Sequence, residues 1–430
     1  MKDDPRSHGL WEATAPLPPR TATLTSAIQT DVAIVGAGFT GLSAALHLAS
    51  EGVSVAVIDA ADIGYGGSGR NVGLVNAGMW VMPAALEGEL GPVYGPRLLK
   101  LLGEAPALVF DIVQRHDIAC EAVRNGTLHC AAGSAGLKDV TERARQWQAL
   151  GAPVRLLDAD EAARKLGTRA YRGALLDLRA GTIQPLAYAR GLALAALQAG
   201  ALIHTDSPVS ELEDTGDNWR LHTSTGGTVD AKWVIVATNA YSSAKSPWAH
   251  LRGELVHLPY FNMATPPLDA ALRESILPQR QGAWDTRLVL SSFRFDQTGR
   301  LIFGSVGALR GAGAAMHHNW GRRALGRLFP QLTGIDFEHE WYGTIGMTSN
   351  ALPRFHRLGR NMISFSGYNG RGIAPGTTFG RELAQFVLGQ SREEDLPLPV
   401  SPIAPAPLRS LREFGYEAGS QIVHMLGARI

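Results

Sequence analysis

Apolar residues gather at 32–35, give way to a glycine-rich turn at 36–41, resume with helical spacing to about residue 50, and gather again at 53–58. The two short apolar runs read as buried parallel strands, and the segment between them as a helix packed on both. From 83 to 148 the spacing is mostly helical, carried by Leu98, Leu101, Leu102, Leu108 and Val109, with a short strand at 126–130. A helix at 157–166 has its cap at Asp158. Strand and turn follow at 175–185, a helix at 186–199, strands at 201–204 and around Val209, and a buried strand at 233–240. After residue 251 the period changes: short alternating runs at 255–260, 288–295 and 301–303 predict an antiparallel sheet. A helix at 320–328, a strand-like stretch at 341–344, a strand at 362–366 and a helix at 377–388 complete the pattern. Residues 401–408 read as an extended connection, and 413–430 as an amphipathic helix docked on the core.

The first turn carries chemistry. In Gly36-Ala37-Gly38-Phe39-Thr40-Gly41, Gly36 permits the tight exit from the strand and Gly38 lets backbone approach a pyrophosphate. Gly41 lets the helix pack close to the sheet. The helix N-terminus offers free N–H groups and a partial positive charge to phosphate. Asp59 ends the second strand, about 20 residues on, where an acid accepts ribose hydroxyls and repels a 2′-phosphate. This arrangement predicts a dinucleotide site and leaves NAD and FAD open.

A second glycine-rich stretch follows at 63–73, with Gly67, Ser68, Arg70 and Asn71 in it. Such a loop suits backbone pressed against a large flat ligand, and Arg70 suits a phosphate or the ring itself. A third, Gly367-Tyr368-Asn369-Gly370-Arg371-Gly372, again joins a strand to a helix but lacks the acidic partner. Its N–H groups and helix dipole suit an anionic ring. Net charge is only +1 and no basic stripe occurs, which argues against nucleic acid. The two cysteines, Cys120 and Cys130, fit no metal spacing and read as buried free thiols. The N-terminal 20 residues lack the apolar core of a signal peptide and read as an extended Pro-rich lead-in. No apolar run predicts a transmembrane helix, so a cytoplasmic protein is expected, with contact at the inner membrane surface left open.

Five segments occur in an order that resembles the FAD-dependent oxidoreductases of the D-amino-acid-oxidase superfamily. They are GGSGRNVGLVNAGMW (66–80), RAGTIQPLAYARGL (179–192), WVIVATNAY (233–241), 294–304 and GYNGRGIAPGT (367–377). Within that superfamily the chain is similar first to the bacterial L-pipecolate oxidases, because of GLVNAGMW and GAWDTRLVLSS (282–292), and next to the γ-glutamylputrescine oxidases. The resemblance implies an α/β fold, α+β overall. A discontinuous Rossmann-like FAD domain (28–82, 150–245, 340–395) would hold an inserted antiparallel-sheet substrate domain (83–149, 246–339), with 396–430 as an extension. It implies FAD as cofactor. Non-covalent binding is expected, because the first loop has no His and neither Cys lies near the last one. Cofactor residues would be Gly36, Gly38, Gly41, Asp59, Gly67, Ser68, Arg70, Asn71, Val209, Gly370, Arg371 and Gly372.

On the substrate side the resemblance places Arg294, whose planar fork suits a carboxylate. The plain alternative is a pair with Asp285 or Asp296. Tyr260, Tyr342, Trp341 and Tyr368 are candidate pocket walls or, equally, core residues. Arg371 is a candidate for contact with flavin or substrate, and Met79 and Trp80 for covering the flavin. His257, His317 and His318 form no metal pattern, and the last two read as a solvated loop. The expected reaction removes hydride from the carbon beside an amine nitrogen, with a small-molecule substrate and oxygen or a quinone as acceptor. L-Pipecolate or a similar cyclic amino acid is the first expectation, and γ-glutamylputrescine or another polyamine-derived amine the alternative. A catalytically inactive NAD-binding protein is disfavoured by the intact glycine loops, and a tRNA-modifying enzyme by the charge.

Overall fold

The computed structural model describes residues 8–427. Two eight-stranded sheets form its frame. The first has a parallel centre: Ala27–Val35 lies between Val55–Ile58 and Thr228–Val236. Leu202–His204 extends one side in parallel, and Met362–Ser366 the other. Helices Phe39–Ser50, Pro185–Gln198 and Ile373–Val387 cover one face, where Leu42, Leu46, Ala189, Leu192 and Phe379 are buried in one apolar core. The segments 32–35 and 55–58, covered on both sides, are apolar and buried at every position, which is why they are legible as runs.

The second sheet runs His339–Met347, Val256–Pro267, Arg300–Val306, Ser291–Phe295, Gly282–Asp285, Thr127–Cys130, Ala174–Asp177, Val154–Leu157. It is antiparallel except where Gly282–Asp285 meets Thr127–Cys130 in parallel. The stretch 150–245, expected in one domain, is therefore divided: its first two strands join the second sheet, as does His339–Met347.

Other expectations shift for identifiable reasons. The strand expected over 288–295 starts only at Ser291. The Asp285 carboxylate accepts the backbone N–H of Arg287 and Ser291, closing a loop between them that leaves Leu288 exposed. The helix expected at 320 begins at Ala312, so His317 and His318 are helical rather than solvated. His317 is fully buried and its Nδ1 lies 2.8 Å from Nδ1 of His424. His318 sits between Asp336 and Glu340. The terminal helix, Arg409–Leu426, docks through its polar side, with Ser420 and His424 buried while Leu411, Phe414, Ile422 and Leu426 face outward. Residues 428–430 of the expected helix lie outside those described. Among the described residues no helix is long and apolar enough to cross a membrane.

The N-terminal lead-in also departs from expectation. Residues 1–7 lie outside those described, but Leu10–Thr14 is a helix whose Leu10 and Trp11 are completely buried. Trp11 meets Trp341 edge-on at 5.4 Å and donates its indole N–H to the Asn71 carbonyl at 2.8 Å. Trp341 donates to the Arg70 carbonyl at 3.0 Å. Two tryptophans thus hold the back of the 64–73 loop. Trp11→Ala is expected to cost about 3–5 kcal/mol, read as a lower urea midpoint.

Candidate functional site

Strand Ala27–Val35 delivers the chain to Gly36, whose φ of 113° and a virtual Cβ only 2.9 Å from the Ala237 carbonyl exclude other residues. A Cβ on Gly41 would lie 2.0 Å from the Gly36 carbonyl, so Gly41 fixes helix packing and does not itself line the cavity. A Cβ on Gly38 would sit 2.9 Å from Ser68 Oγ, in the cleft between the first two glycine loops. Ser68 Oγ accepts the Phe39 N–H at 3.1 Å, while Gly38 caps the helix without a side chain. That helix end therefore keeps polar capacity toward the cleft.

Asp59 accepts N–H groups from Ala37 at 2.5 Å and Ala61 at 2.8 Å. Burial pushes its carboxyl up to about 6, against the pull of those two donors. Asn71 folds the next loop: its amide donates to the carbonyls of Gly67 and Ser68 at 2.9 and 3.0 Å, and its oxygen accepts the Gly73 N–H. Arg70 stacks over Tyr65 at 4.6 Å and donates from Nε to the Tyr65 carbonyl, while its buried Nη2 has no hydrogen-bond partner in the protein.

The last loop returns to the same place. Asn369 takes a left-handed conformation, φ 53°, and its side chain ties Thr348 and Gly367. Gly372 opens helix Ile373–Val387 with no side-chain cap. Tyr368 bonds Thr40 across the two helix ends at 2.6 Å, and Trp80 donates to the Asn369 carbonyl at 2.6 Å.

All these loops border one continuous cavity of about 1590 Å³, well above the roughly 300–1,000 Å³ of an ordinary small-ligand site. Gly36, Gly38, Asp59, Gly67, Ser68, Arg70, Asn71, Val209, Gly370, Arg371 and Gly372 all line it. The glycine cradles, the two helix ends and the unpartnered Arg70 nitrogen fit a dinucleotide with a further planar ring.

Beyond the loops, the cavity continues along the second sheet and the terminal helix. Tyr260 is there, its hydroxyl 2.7 Å from Ser292 Oγ. Burial raises its phenol far above the ordinary range, so it remains neutral. His129 stacks on Trp284 at 4.9 Å, and Arg143 and Arg371 stand beside them. Burial, with Arg143 and Arg371 nearby, lowers His129 well below its ordinary value and keeps it uncharged. His129, Arg143 and Trp284 were missed as site residues. Strands 127–130 and 282–285 are far apart in sequence, and only their parallel register places His129 opposite Trp284.

Besides Gly41, four expected residues lie elsewhere, among them Trp341, which is buried against Trp11. Arg294 does not line the cavity. Its Nε donates to the Phe295 carbonyl at 3.0 Å, one Nη to the carbonyls of Gly73 and Ile183, and its nearest carboxylate is Glu121 at 3.7 Å, not Asp285 or Asp296. It is 1% exposed, and burial lowers it to about 10 despite Glu121. In this position its side chain clamps three backbone carbonyls. Tyr342 packs on the core of the second sheet, and only its neighbours from Gly343 onward line the cavity. Met79 is buried in the first core, leaving Trp80 alone at the wall. Cys120 and Cys130 are buried free thiols off the cavity.

The chain is 32% identical to the gamma-glutamylputrescine oxidoreductase of Escherichia coli over 378 residues, 87% of each protein. It is 29% identical to a probable oxidoreductase, OrdL, of Haemophilus influenzae, over 85% of this chain and 84% of that one. Among solved structures, glycine oxidase from Geobacillus kaustophilus superimposes with a TM-score of 0.72 at 22% identity, over 87% of this chain and 98% of that one. L-Proline dehydrogenase from P. horikoshii gives 0.69 at 16%, over 86% and 96%. Residues 31–386 match the FAD dependent oxidoreductase family, and the chain belongs to it, with FAD as its cofactor.

Proposed function

We propose that this FAD-dependent oxidoreductase oxidises the C–N bond of a γ-glutamylated polyamine such as γ-glutamylputrescine, with oxygen or a quinone as electron acceptor. The observation that carries the reading is the continuous cavity. After the nucleotide loops it still runs between Tyr260, Trp284, His129 and the terminal helix, which is room for a long substrate beside a flavin. The Escherichia coli relative, named for that substrate, supports it. A second reading, a cyclic secondary amino acid such as L-pipecolate, draws on two sequence segments, 66–80 and 282–292. Both border the cavity, through Leu74, Asn76, Trp80, Trp284 and Asp285.

Bound FAD supplies the hydride acceptor of the reaction. The chain's part is to bind, orient and exclude water. Neutral His129 and neutral Tyr260 present hydrogen-bonding groups without adding charge, so an amine held near them is favoured in its unprotonated, hydride-donating form. The Tyr260–Ser292 pair fixes the phenol's direction. Apolar walls from Leu258, Val306 and Ile345 keep the wall dry.

Three outcomes are expected. Anaerobic mixing with γ-glutamylputrescine should bleach the flavin faster than L-pipecolate, L-proline, sarcosine or putrescine. Bleaching by L-pipecolate alone would select the second reading. Asp59 binds ribose as a carboxylate and is raised to about 6; protonation below that pH replaces an acceptor by a donor. FAD affinity should therefore fall by up to about tenfold per pH unit as pH drops below 6, and Asp59→Asn should bind weakly with a flat profile, both read by ultrafiltration of released flavin. Arg294→Ala should cost about 3–5 kcal/mol of stability, read as a lower urea midpoint, and leave KM for the amine within about twofold; a large KM effect with intact stability would restore it to the substrate site.

A further inference from the structure

Two guanidinium groups at the substrate end have no anionic partner. Arg371 is 9% exposed, and among the described residues its guanidinium donates only to the Ala77 carbonyl, at 2.9 Å. Arg143 is 7% exposed and donates only to the carbonyls of Met79 and Trp80, at 3.2 and 2.8 Å. Among the described residues neither lies within 4.0 Å of a carboxylate, and the buried Nε of each has no partner. The Nδ1 of His129 beside them is likewise unpartnered. Trp80 and Trp284 flank Arg371, at 4.8 and 5.6 Å from its central carbon.

Placing two like charges together in a buried wall is unfavourable unless an anion completes the set. The carboxylates at this cavity do not complete it. Asp59 is held by backbone at the ribose end, and Asp285 is bound to Arg287 and to two backbone N–H groups. Asp177, near Arg371, is engaged bidentately by Arg179. Asp139 attracts Arg143 from the same wall, without reaching contact distance.

From this we infer that Arg371 and Arg143 form an anion subsite that binds a carboxylate of the substrate, between the Trp80 and Trp284 rings and against His129. The assignment deepens the amine-oxidase reading and rests on it for the identity of the ligand. It gives the carboxylate role expected of Arg294 to a different pair, from the last glycine loop and from helix Gly133–Ala149. Forked donors match the planar anion, and the flanking indoles exclude water from the ion pair. An amine of similar length without a carboxylate would leave both cations uncompensated.

The test measures binding of amine-free acids to the holoenzyme by perturbation of the flavin absorbance. Glutarate represents a linear γ-glutamyl end and cyclohexanecarboxylate a cyclic one; each is paired with its neutral amide. At least one acid should bind about tenfold or more tightly than its amide, and which acid does so distinguishes the two sources. Arg371→Gln and Arg143→Gln should each bring that ratio towards one, and Arg371→Lys should keep part of it in flavin-loaded protein. No preference for acid over amide would overturn the subsite. So would a ratio untouched in both Gln variants, or variants that change only the flavin's own spectrum and affinity. Failure of every amine to reduce the flavin, with the acid preference intact, would sink the proposed reaction and spare the subsite. Equal turnover of γ-glutamylputrescine and N-acetylputrescine would do the reverse.

Discussion

The site depends on how closely two helices approach one another. Phe39–Ser50 and Ile373–Val387 come from opposite ends of the chain, and both must aim their N-termini at one cavity. Glycine makes this feasible: a Cβ on Gly380 would lie 2.5 Å from the Thr40 carbonyl, and one on Gly376 3.3 Å from Thr40 Oγ1. Ser43 then donates to the Thr377 carbonyl at 2.6 Å, and Tyr368 to Thr40 or the reverse at the helix ends. With side chains in that seam the helices would separate and only one N-terminus would reach the ligand. The same logic operates at Gly41, where the first helix is pressed on its own turn. Close packing of backbone on backbone thus sets the electrostatics, because two aligned helix dipoles add where anionic groups bind.

Burial sorts the cations by role. Arg294, Arg143, Arg371 and Arg70 are all nearly inaccessible, yet their surroundings differ. Arg294 is surrounded by carbonyl oxygens and has Glu121 nearby, so its charge is already balanced and its hydrogen bonds join the second sheet to the 73 and 183 turns. Arg70 braces a loop with one nitrogen left over. Arg143 and Arg371 hold a loop through carbonyl groups alone, which leaves the buried Nε of each unpartnered and the charge uncompensated. Residue type could not separate these cases, since each is an arginine on or next to a regular element.

That difference explains which parts were legible from sequence. The strand–glycine–helix units depend on contacts between near neighbours: Gly36 with Gly41, Asp59 with Ala37 and Ala61, Asn71 with Gly67 and Gly73. Local constraints of this kind leave a mark in the spacing of glycine, asparagine and acid. The substrate wall has no such mark. His129 meets Trp284 only because two short strands pair in parallel within an otherwise antiparallel sheet. Arg143 reaches it from a helix whose other residues are those of any polar surface. The strand expected over 288–290 fails for a different, local reason: the Asp285 carboxylate, a few residues upstream, accepts the Arg287 and Ser291 N–H groups and closes a loop where the apolar run predicts a ladder. The α/β class and the two-sheet architecture follow from period and length; the assignment of 150–180 to the second sheet required knowing its partners.

The terminal helix shows why hydrophobic pattern alone misjudged one contact. An amphipathic helix ordinarily turns its apolar face inward. Here Arg252–Glu413 at 2.7 Å and Arg310–Glu417 at 2.5 Å pin the polar side, and His424 is buried against Trp320 at 3.8 Å and beside His317. Burial lowers both histidines, to about 3 and about 4, so the pair meets as neutral rings without repulsion. The reason for this orientation lies in the cavity. Gly415, Gly419 and Ser420 from this helix line it, and a Cβ on either glycine would meet nothing within 4 Å. Tyr416 and Val423 line it as well, so the inward face mixes small and large residues, and ion pairs at the helix edges supply the attachment that an apolar stripe would otherwise provide. A helix that walls an open cavity has no packed core there in which to bury Leu411, Phe414, Ile422 and Leu426, and these are left facing outward.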